Sequence, residues 1–393
     1  MNYKNPQSKI FALAVLSVSV MITTGTAISS ALPEMAKSFP KVPMEQIDSI
    51  ATIQQFAVII TLLLSGIISR KIGIKKTILI GLAATGIAGV FPFFSQNWVL
   101  ILISRLILGL GIGLFNSLAI TLIDLFYDGS QQSQMLGFRS ATEQIGVSLL
   151  NVLAGMLVLI NWHASFLIYL LAFPLLTFFL KNIPEPPVPK QNKRTKQHIN
   201  IRVVVLALLL FLIVSCSTAV IVQIPNIVVT DLSGTGTVSS IIISLNTLTG
   251  MFMGILFGKI YHFTKRFVLP LGIVLMALGS LIIVISNNVL GVLIGAIICG
   301  GSYPLVGSYI FSLVNQIAPA GSETLANSCL LIGANMGSFA TPFLLNELKR
   351  LSSLTNQAAA FLSIFWILAG LTCLVLIQQL VRIKINHHSI TKN

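Results

Sequence analysis

Charged residues are scarce in this chain of 393 residues. Asp, Glu, Lys and Arg make up 9% of the sequence and hydrophobic residues make up 55%, whereas about a quarter of the residues in a typical soluble domain are charged. So few charges do not cover the surface of a soluble protein of this length. The sequence therefore predicts an all-α membrane protein whose helices contact the lipid bilayer.

Residue types that perform chemistry are equally sparse. The four cysteines lie inside apolar stretches without the spacing of metal ligands, and the five histidines are scattered. The sequence has no nucleophile beside a base and no phosphate-binding loop, so we predict neither an enzyme nor a metal or cofactor site. The net charge of +14 comes from short basic clusters between apolar stretches, which argues against nucleic acid as a partner.

Long apolar stretches recur twelve times, the first over residues 10–32, and predict twelve membrane-spanning helices. With a cytosolic N-terminus, the cytosolic segments hold 19 Lys and Arg residues and the outer loops hold 4. This bias predicts a multi-pass plasma-membrane protein with both termini in the cytoplasm. The longest polar segment, residues 181–202, contains four prolines and six cations. We predict that it links a bundle of residues 1–180 to a bundle of residues 203–393.

Three local similarities predict that the two bundles are repeats. GIISRKI at residue 66 resembles GILFGKI at residue 254, and LP at residue 32 resembles IP at residue 224, at offsets of 188 and 192. Gly146 and Gly337 stand at an offset of 191. Two pseudo-symmetric six-helix bundles are expected to enclose a central site near mid-membrane and to rock about it.

The turn after the second predicted helix resembles the cytosolic motif of the major facilitator superfamily, G-x-L-A-D-R-x-G-R-K. The matching residues are Gly66, Arg70, Lys71, Gly73, Lys75 and Lys76, and Ser69 stands at the acidic position. Gly66 would allow close helix approach and Gly73 a tight turn. The cations are predicted either to gate the cavity with Asp124 and Asp128 as partners, or only to fix the topology.

Two further helices resemble motifs of proton-coupled members and of antiporters in this superfamily. The fourth predicted helix carries Arg105, Gly109, Gly111 and Gly113, and the fifth carries Gly137, Gly146, Asn151 and Gly155 without the family's central Gly-Pro. Helix 11 carries Gly337 and Pro342, and the glycines of these three helices together with Pro342 are predicted to serve helix packing. The resemblance implies the twelve-helix fold and transport by alternating access. It weakly favours exchange of solutes (antiport) as the mode of transport. It also implies that Arg105 assists proton transfer or holds an anion, with snorkelling to lipid headgroups as the alternative.

Proton coupling needs a group that changes charge inside the cavity. Glu143 is the deepest of the ten acids; it is predicted either to load and release a proton or to pair with Arg139 one helical turn away. The other predicted transport residues are amides at membrane depth: Gln54, Gln55, Asn116, Asn151 and Asn246.

The leading hypothesis is a monomeric exporter of small amphipathic compounds that is driven by the proton gradient. A nearly uncharged cavity motivates it, and the first predicted helix has no carboxylate that would select cationic drugs. The alternative is a uniporter, symporter or exchanger of a small metabolite, such as an organic anion held by Arg105.

Overall fold

The structure is a computed structural model that describes residues 8–127, 129–186, 198–319, 323–351 and 357–390. Eleven helices in these ranges are long and apolar enough to cross a membrane, and a bent pair, Lys9–Met21 with Thr24–Ser38, supplies a twelfth span. The described residues contain no strand. The prediction of an all-α protein with twelve membrane spans is confirmed. Part of the predicted linker, residues 187–197, lies outside the described residues.

The helices follow one another with short connections. The first half contains α1 (Lys9–Ser17), α2 (Leu32–Ser38), α3 (Met44–Ser49), α4 (Gln54–Ile72), α5 (Ile74–Val90), α6 (Trp98–Phe126), α7 (Gly129–Val158) and α8 (Ala172–Asn182), which continues a 3-10 helix over Trp162–Leu171. The second half contains α9 (Ile201–Asn226), α10 (Gly236–Thr264), α11 (Val268–Ile285), α12 (Val289–Ile317), α13 (Glu323–Leu351) and α14 (Ala359–Ile390).

Corresponding helices pack alike in the two halves. In the first half α6 packs on α4 and α5, and α7 packs on the segment after α1; in the second half α12 packs on α10 and α11, and α13 packs on α9. The caps repeat as well, because Asn97 accepts a hydrogen bond from the backbone at the start of α6 and Asn288 does so at the start of α12. The same local chemistry therefore begins the same helix in each half.

The first span is broken, whereas the sequence predicted one continuous helix over residues 10–32. After α1 ends at Ser17, three short 3-10 segments lead into α2, and the span bends by 44°. Hydroxyl side chains bond to backbone carbonyls within the break: Thr24 donates to the Met21 carbonyl at 3.0 Å and Ser29 donates to the Thr26 carbonyl at 2.7 Å. Such side-chain bonds compete with the helical ladder, and some backbone carbonyls are left for other partners.

Candidate functional site

A cavity of about 830 Å³ lies between the two halves. The segment between α1 and α2, together with α4 and α7, forms one wall, and α9, α10, α12 and α13 form the other. This volume falls within the range that holds drug-sized ligands. The cavity is therefore the candidate substrate site.

The cavity wall is polar but uncharged. Gln55, Gln144 and Asn151 face it from the first half, and these amides have no hydrogen-bond partner among the described residues. Met251 and Phe311 contribute apolar surface from the second half. None of the described lining residues is Asp, Glu, Lys or Arg. Because an amide both donates and accepts, this wall matches an uncharged ligand with polar groups along one side.

The two halves touch mainly at one end of the cavity. Ser244 donates to the Ser148 carbonyl at 2.8 Å, and Thr237 donates to the Gly155 carbonyl at 2.9 Å, both between α7 and α10. These contacts join the end of α7 to the start of α10, which is the side away from the turn at residues 70–76 because successive spans alternate in direction. The lining residues extend along α10 as far as Ile255, toward its opposite end. We call the end with the basic turn the basic face and the other end the far face. The two halves are therefore in contact at the far face, and the cavity lining extends from there toward the basic face.

The structure brings part of the predicted transport set to the cavity. Gln55, Asn151 and Asn246 line it, and Asn246 also donates to the Ala296 carbonyl at 2.7 Å. Gln54 is fully buried inside the first half, where its side-chain nitrogen donates to the Ala51 carbonyl at 2.5 Å. Neighbouring amides in one helix therefore have different environments.

Arg105 is buried inside the first half rather than exposed in the cavity. Its guanidinium donates to the Gly25 carbonyl at 2.6 Å, to the Ile50 carbonyl at 3.2 Å and to the Tyr169 hydroxyl at 3.0 Å. The Tyr169 hydroxyl in turn donates to the Thr24 carbonyl at 2.8 Å. Both the broken first span and the turn before α4 thus obtain donors for carbonyls that the helical ladder does not use. This placement excludes the snorkelling interpretation, because snorkelling requires contact with the headgroups.

Glu143 lies beside Arg139 on α7. The carboxylate is 3.6 Å from the Arg139 guanidinium. The two side chains are similarly buried: Glu143 is 15% exposed and Arg139 is 12% exposed. Arg139 also donates to the Asn116 side-chain oxygen on α6 at 3.0 Å. The cluster therefore joins α6 to α7 just behind the cavity wall, in which Gln144 is the next residue.

The basic turn contacts the end of the first half. Gly73 has a positive φ of 97°, which favours glycine. The Glu185 carboxylate accepts a bond from the Lys75 backbone nitrogen at 3.0 Å at the start of α5, and the Lys75 side chain donates to the Leu180 carbonyl at 2.9 Å. A carboxylate at a helix N-terminus is stabilised by the helix dipole. Of the two acids predicted to pair with these cations, Asp128 lies outside the described residues, and so does the side chain of Asp124.

The predicted packing glycines separate into two groups. A Cβ at six of them would overlap or press on a neighbouring helix: Gly109, Gly111, Gly113, Gly146, Gly155 and Gly337. No atom lies within 4 Å of a Cβ built at Gly66 or Gly137, so the expectation of close helix approach is wrong for these two. Gly137 lines the cavity instead. Pro342 lies inside α13.

Sequence reasoning missed a buried polar cluster at the far face. We define the Asp48 cluster as Asp48, Gln223, Asn226 and Lys349. Asp48 is 2% exposed and accepts from the Asn226 amide at 3.2 Å and from the Gln223 amide at 3.3 Å. The sequence predicts only that Asp48 lies in an outer loop or at a helix end, although the apolar residues that surround it, such as Ile47 and Ile50, could have signalled burial.

Known transporters resemble this chain over about half to three quarters of its length. The Probable nitrate transporter NarT of Staphylococcus epidermidis is 26% identical over 310 residues, which are 74% of this chain and 76% of that protein. The Riboflavin transporter RibZ of Clostridioides difficile is 23% identical over 191 residues, which are 48% of this chain and 42% of that protein.

Solved structures share the fold at low sequence identity. A D-xylose–proton symporter superposes with a TM-score of 0.73 at 14% identity, covering 93% of this chain and 96% of the symporter. A peptide transporter POT in complex with sulfate gives 0.72 at 15% identity, covering 94% and 93%. The profile of the Major Facilitator Superfamily matches residues 13–342. The chain therefore belongs to the Major Facilitator Superfamily, and it is a multi-pass membrane transporter of small molecules rather than an enzyme.

Proposed function

We propose that this protein exports small uncharged amphipathic compounds across the plasma membrane in exchange for protons, by alternating access. The observation that carries the proposal is the cavity between the halves, which offers unpartnered amides and apolar surface but no charged lining residue among those described. A charged ligand in such a site would lose its hydration without gaining an opposite charge.

The orientation in the membrane is part of the proposal. Because Lys and Arg collect on the basic face, that face is assigned to the cytoplasm. The cavity then faces the cytoplasm and the far face is closed, which is the conformation that loads a compound for export. On the same assignment both termini are cytoplasmic, and the division at residues 181–202 separates the two moving bundles.

Anion transport is the weaker alternative, although NarT is named as a probable nitrate transporter. The sequence hypothesis placed the anion on Arg105, but the guanidinium donates to two carbonyls and to Tyr169 inside the first half. The described lining residues include no Lys or Arg that could take its place. A neutral solute therefore fits this cavity better than nitrate does.

Everted membrane vesicles test the proposal. Their lumen is acidified by respiration and followed with a pH-sensitive dye; a transported compound should collapse the gradient as it enters in exchange for protons. Riboflavin is the first compound to test, because RibZ is named as a riboflavin transporter and riboflavin is uncharged, flat and rich in hydrogen-bonding groups. Nitrate is expected to have no effect. If no member of a broad set of neutral amphipathic compounds changes the gradient, the proposal is refuted.

Variants of the amide wall locate the site. Gln55→Leu and Asn151→Leu should raise the concentration needed for half-maximal response about five- to tenfold, because each loses one hydrogen bond of about 1–1.4 kcal/mol. Gln46→Leu makes the same chemical change at an exposed position outside the cavity and should leave the response unchanged. An equal effect of all three substitutions would place the binding site elsewhere.

A further inference from the structure

We propose that Asp48 is a proton-binding site of the far gate: the carboxyl group takes up a proton as the two halves close over it and releases the proton when they part. The inference rests on the alternating access of the proposed function, but it requires no particular substrate. It assigns a role to an acid that the transport cavity does not contain.

The Asp48 cluster closes the far face across the boundary between the halves. Asp48 stands on α3 of the first half, Gln223 and Asn226 stand at the end of α9, and Lys349 stands at the end of α13. Asp48 and Asn226 are 2% and 0% exposed. When the far gate opens, α3 must part from α9 and α13, and water then reaches the carboxyl group. Burial of Asp48 is thus tied to the closed gate.

The charged carboxylate is poorly compensated while it is buried. Its two described donors are the neutral amides of Asn226 and Gln223, and no described residue forms a salt bridge with it. The Lys349 ammonium donates instead to the side-chain oxygens of Gln223 at 3.5 Å and Gln357 at 2.8 Å. A buried carboxylate without a direct cation is costly, so closing favours the protonated form.

The protonated form also satisfies an atom that is otherwise without a partner. The Asn226 side-chain oxygen is buried and accepts no hydrogen bond from any described residue. A carboxylate only accepts, whereas a carboxylic acid both donates and accepts. Protonated Asp48 can therefore pair with the Asn226 amide in both directions, donating to the oxygen while it accepts from the nitrogen that already lies 3.2 Å away.

The other charged groups around the cluster have partners of their own or lie on its rim. Glu45 is half-buried on α3 itself. Lys37 pairs with Glu34 beside α3, and Arg350 pairs with Glu347 on α13, at exposed positions. Asp231 accepts a bond from the Gln357 backbone at 2.9 Å and acts electrostatically on Lys349. Lys349 opposes protonation of Asp48 because it favours a nearby negative charge, and Asp231 weakens that opposition.

The direction of the pH effect follows from these contacts. Because the closed gate binds the proton more tightly than the open gate, acid favours closure and alkali favours opening. One proton changes the ratio of closed to open molecules by at most about tenfold per pH unit. This limit applies over the pH range between the proton-binding midpoints of the open and the closed state.

A distance measurement across the far gate tests the inference. Spin labels are placed at Lys37→Cys and Arg350→Cys, two exposed positions in opposite halves, in the full-length protein with its four native cysteines replaced. Distances are measured by double electron–electron resonance without substrate, from about pH 5 to about pH 9. The parent protein should shift from a short to a long distance as the pH rises. Asp48→Asn, which resembles the protonated side chain, should keep the short distance at every pH.

Matched acids serve as controls. Glu45→Gln should retain the pH response of the parent, and Asp231→Asn should retain a response whose midpoint moves to lower pH, because Lys349 then opposes protonation of Asp48 more strongly. The inference is refuted if the parent distances do not change with pH, if Asp48→Asn responds as the parent does, or if Asp48→Asn is open throughout. Loss of the response in a control but not in Asp48→Asn would also refute it. Because no substrate is present, a pH response together with failed transport assays would refute the proposed function alone, and the converse result would refute this inference alone.

Discussion

Replacement of Arg105 should destabilise the protein rather than specifically abolish coupling. The guanidinium makes three described hydrogen bonds, to Gly25, Ile50 and Tyr169, between 2.6 and 3.2 Å. A side-chain hydrogen bond between membrane helices is worth about 0.6 kcal/mol on average and up to about 1.7 kcal/mol. Loss of all three in Arg105→Met therefore costs about 2–5 kcal/mol. Arg105→Lys keeps the charge but not the planar fork, so it should recover only part of this loss.

Thermal unfolding in detergent measures the effect. Cys216 and Cys299 are buried, so a dye that fluoresces on reaction with thiols reports their exposure as the protein unfolds. We expect Arg105→Met to lower the midpoint by several degrees and Arg105→Lys to lower it less. Arg350→Met is the matched control, because Arg350 is 69% exposed and pairs with Glu347 at the surface. Such pairs contribute at most about 1 kcal/mol.

A double-mutant cycle separates packing from coupling. Tyr169→Phe removes the hydroxyl that accepts from Arg105 and donates to the Thr24 carbonyl. The effects of Arg105→Met and Tyr169→Phe on the midpoint should not add, since both substitutions remove the same bond. If Arg105→Met unfolds at the parent temperature and yet loses proton-coupled transport, the packing role is refuted and Arg105 acts in coupling, as the family resemblance implies.

Three further tests address other parts of the structure. Gly337→Val should lower the thermal midpoint or the yield because its side chain would overlap the Phe211 backbone, whereas Gly66→Ala should be neutral because open space surrounds that site; equal losses would contradict the packing described. Glu185→Gln should cost roughly 0.3–1 kcal/mol through the start of α5, with an effect that shrinks as salt is added; a loss that does not depend on salt would indicate another cause. Glu143→Gln should leave substrate binding intact and abolish substrate-induced proton movement if Glu143 carries the proton, whereas a lower midpoint with retained proton movement would identify it as a structural partner of Arg139.

Composition was sufficient to predict the fold class, whereas the positions of single polar residues were not predictable. Gln54 and Gln55 are adjacent and equally polar in sequence, but one is fully buried and the other lines the cavity. The direction of a helical side chain depends on which neighbour packs against it, and that neighbour is distant in sequence. The same holds for Asp48, whose amide partners Gln223 and Asn226 lie 175 and 178 residues away.

The break in the first span illustrates a second limit. Hydropathy averages over a window, so residues 10–32 satisfied the pattern of one continuous helix. The break depends on carbonyls that find other donors, and the donors to the Gly25 and Thr24 carbonyls, Arg105 and Tyr169, come from later spans. A local pattern does not contain this information.

The sequence by itself determined that this protein lies in a lipid bilayer, how many spans it has and which family it belongs to. Insertion into lipid depends on the apolar content of each segment, and family motifs are local in the chain. Only the tertiary structure decided which polar groups face the cavity, which hold the first half together and which meet at the far face. Those assignments depend on contacts between helices that are distant in sequence, where a few ångströms decide whether a polar group contacts protein or an open cavity.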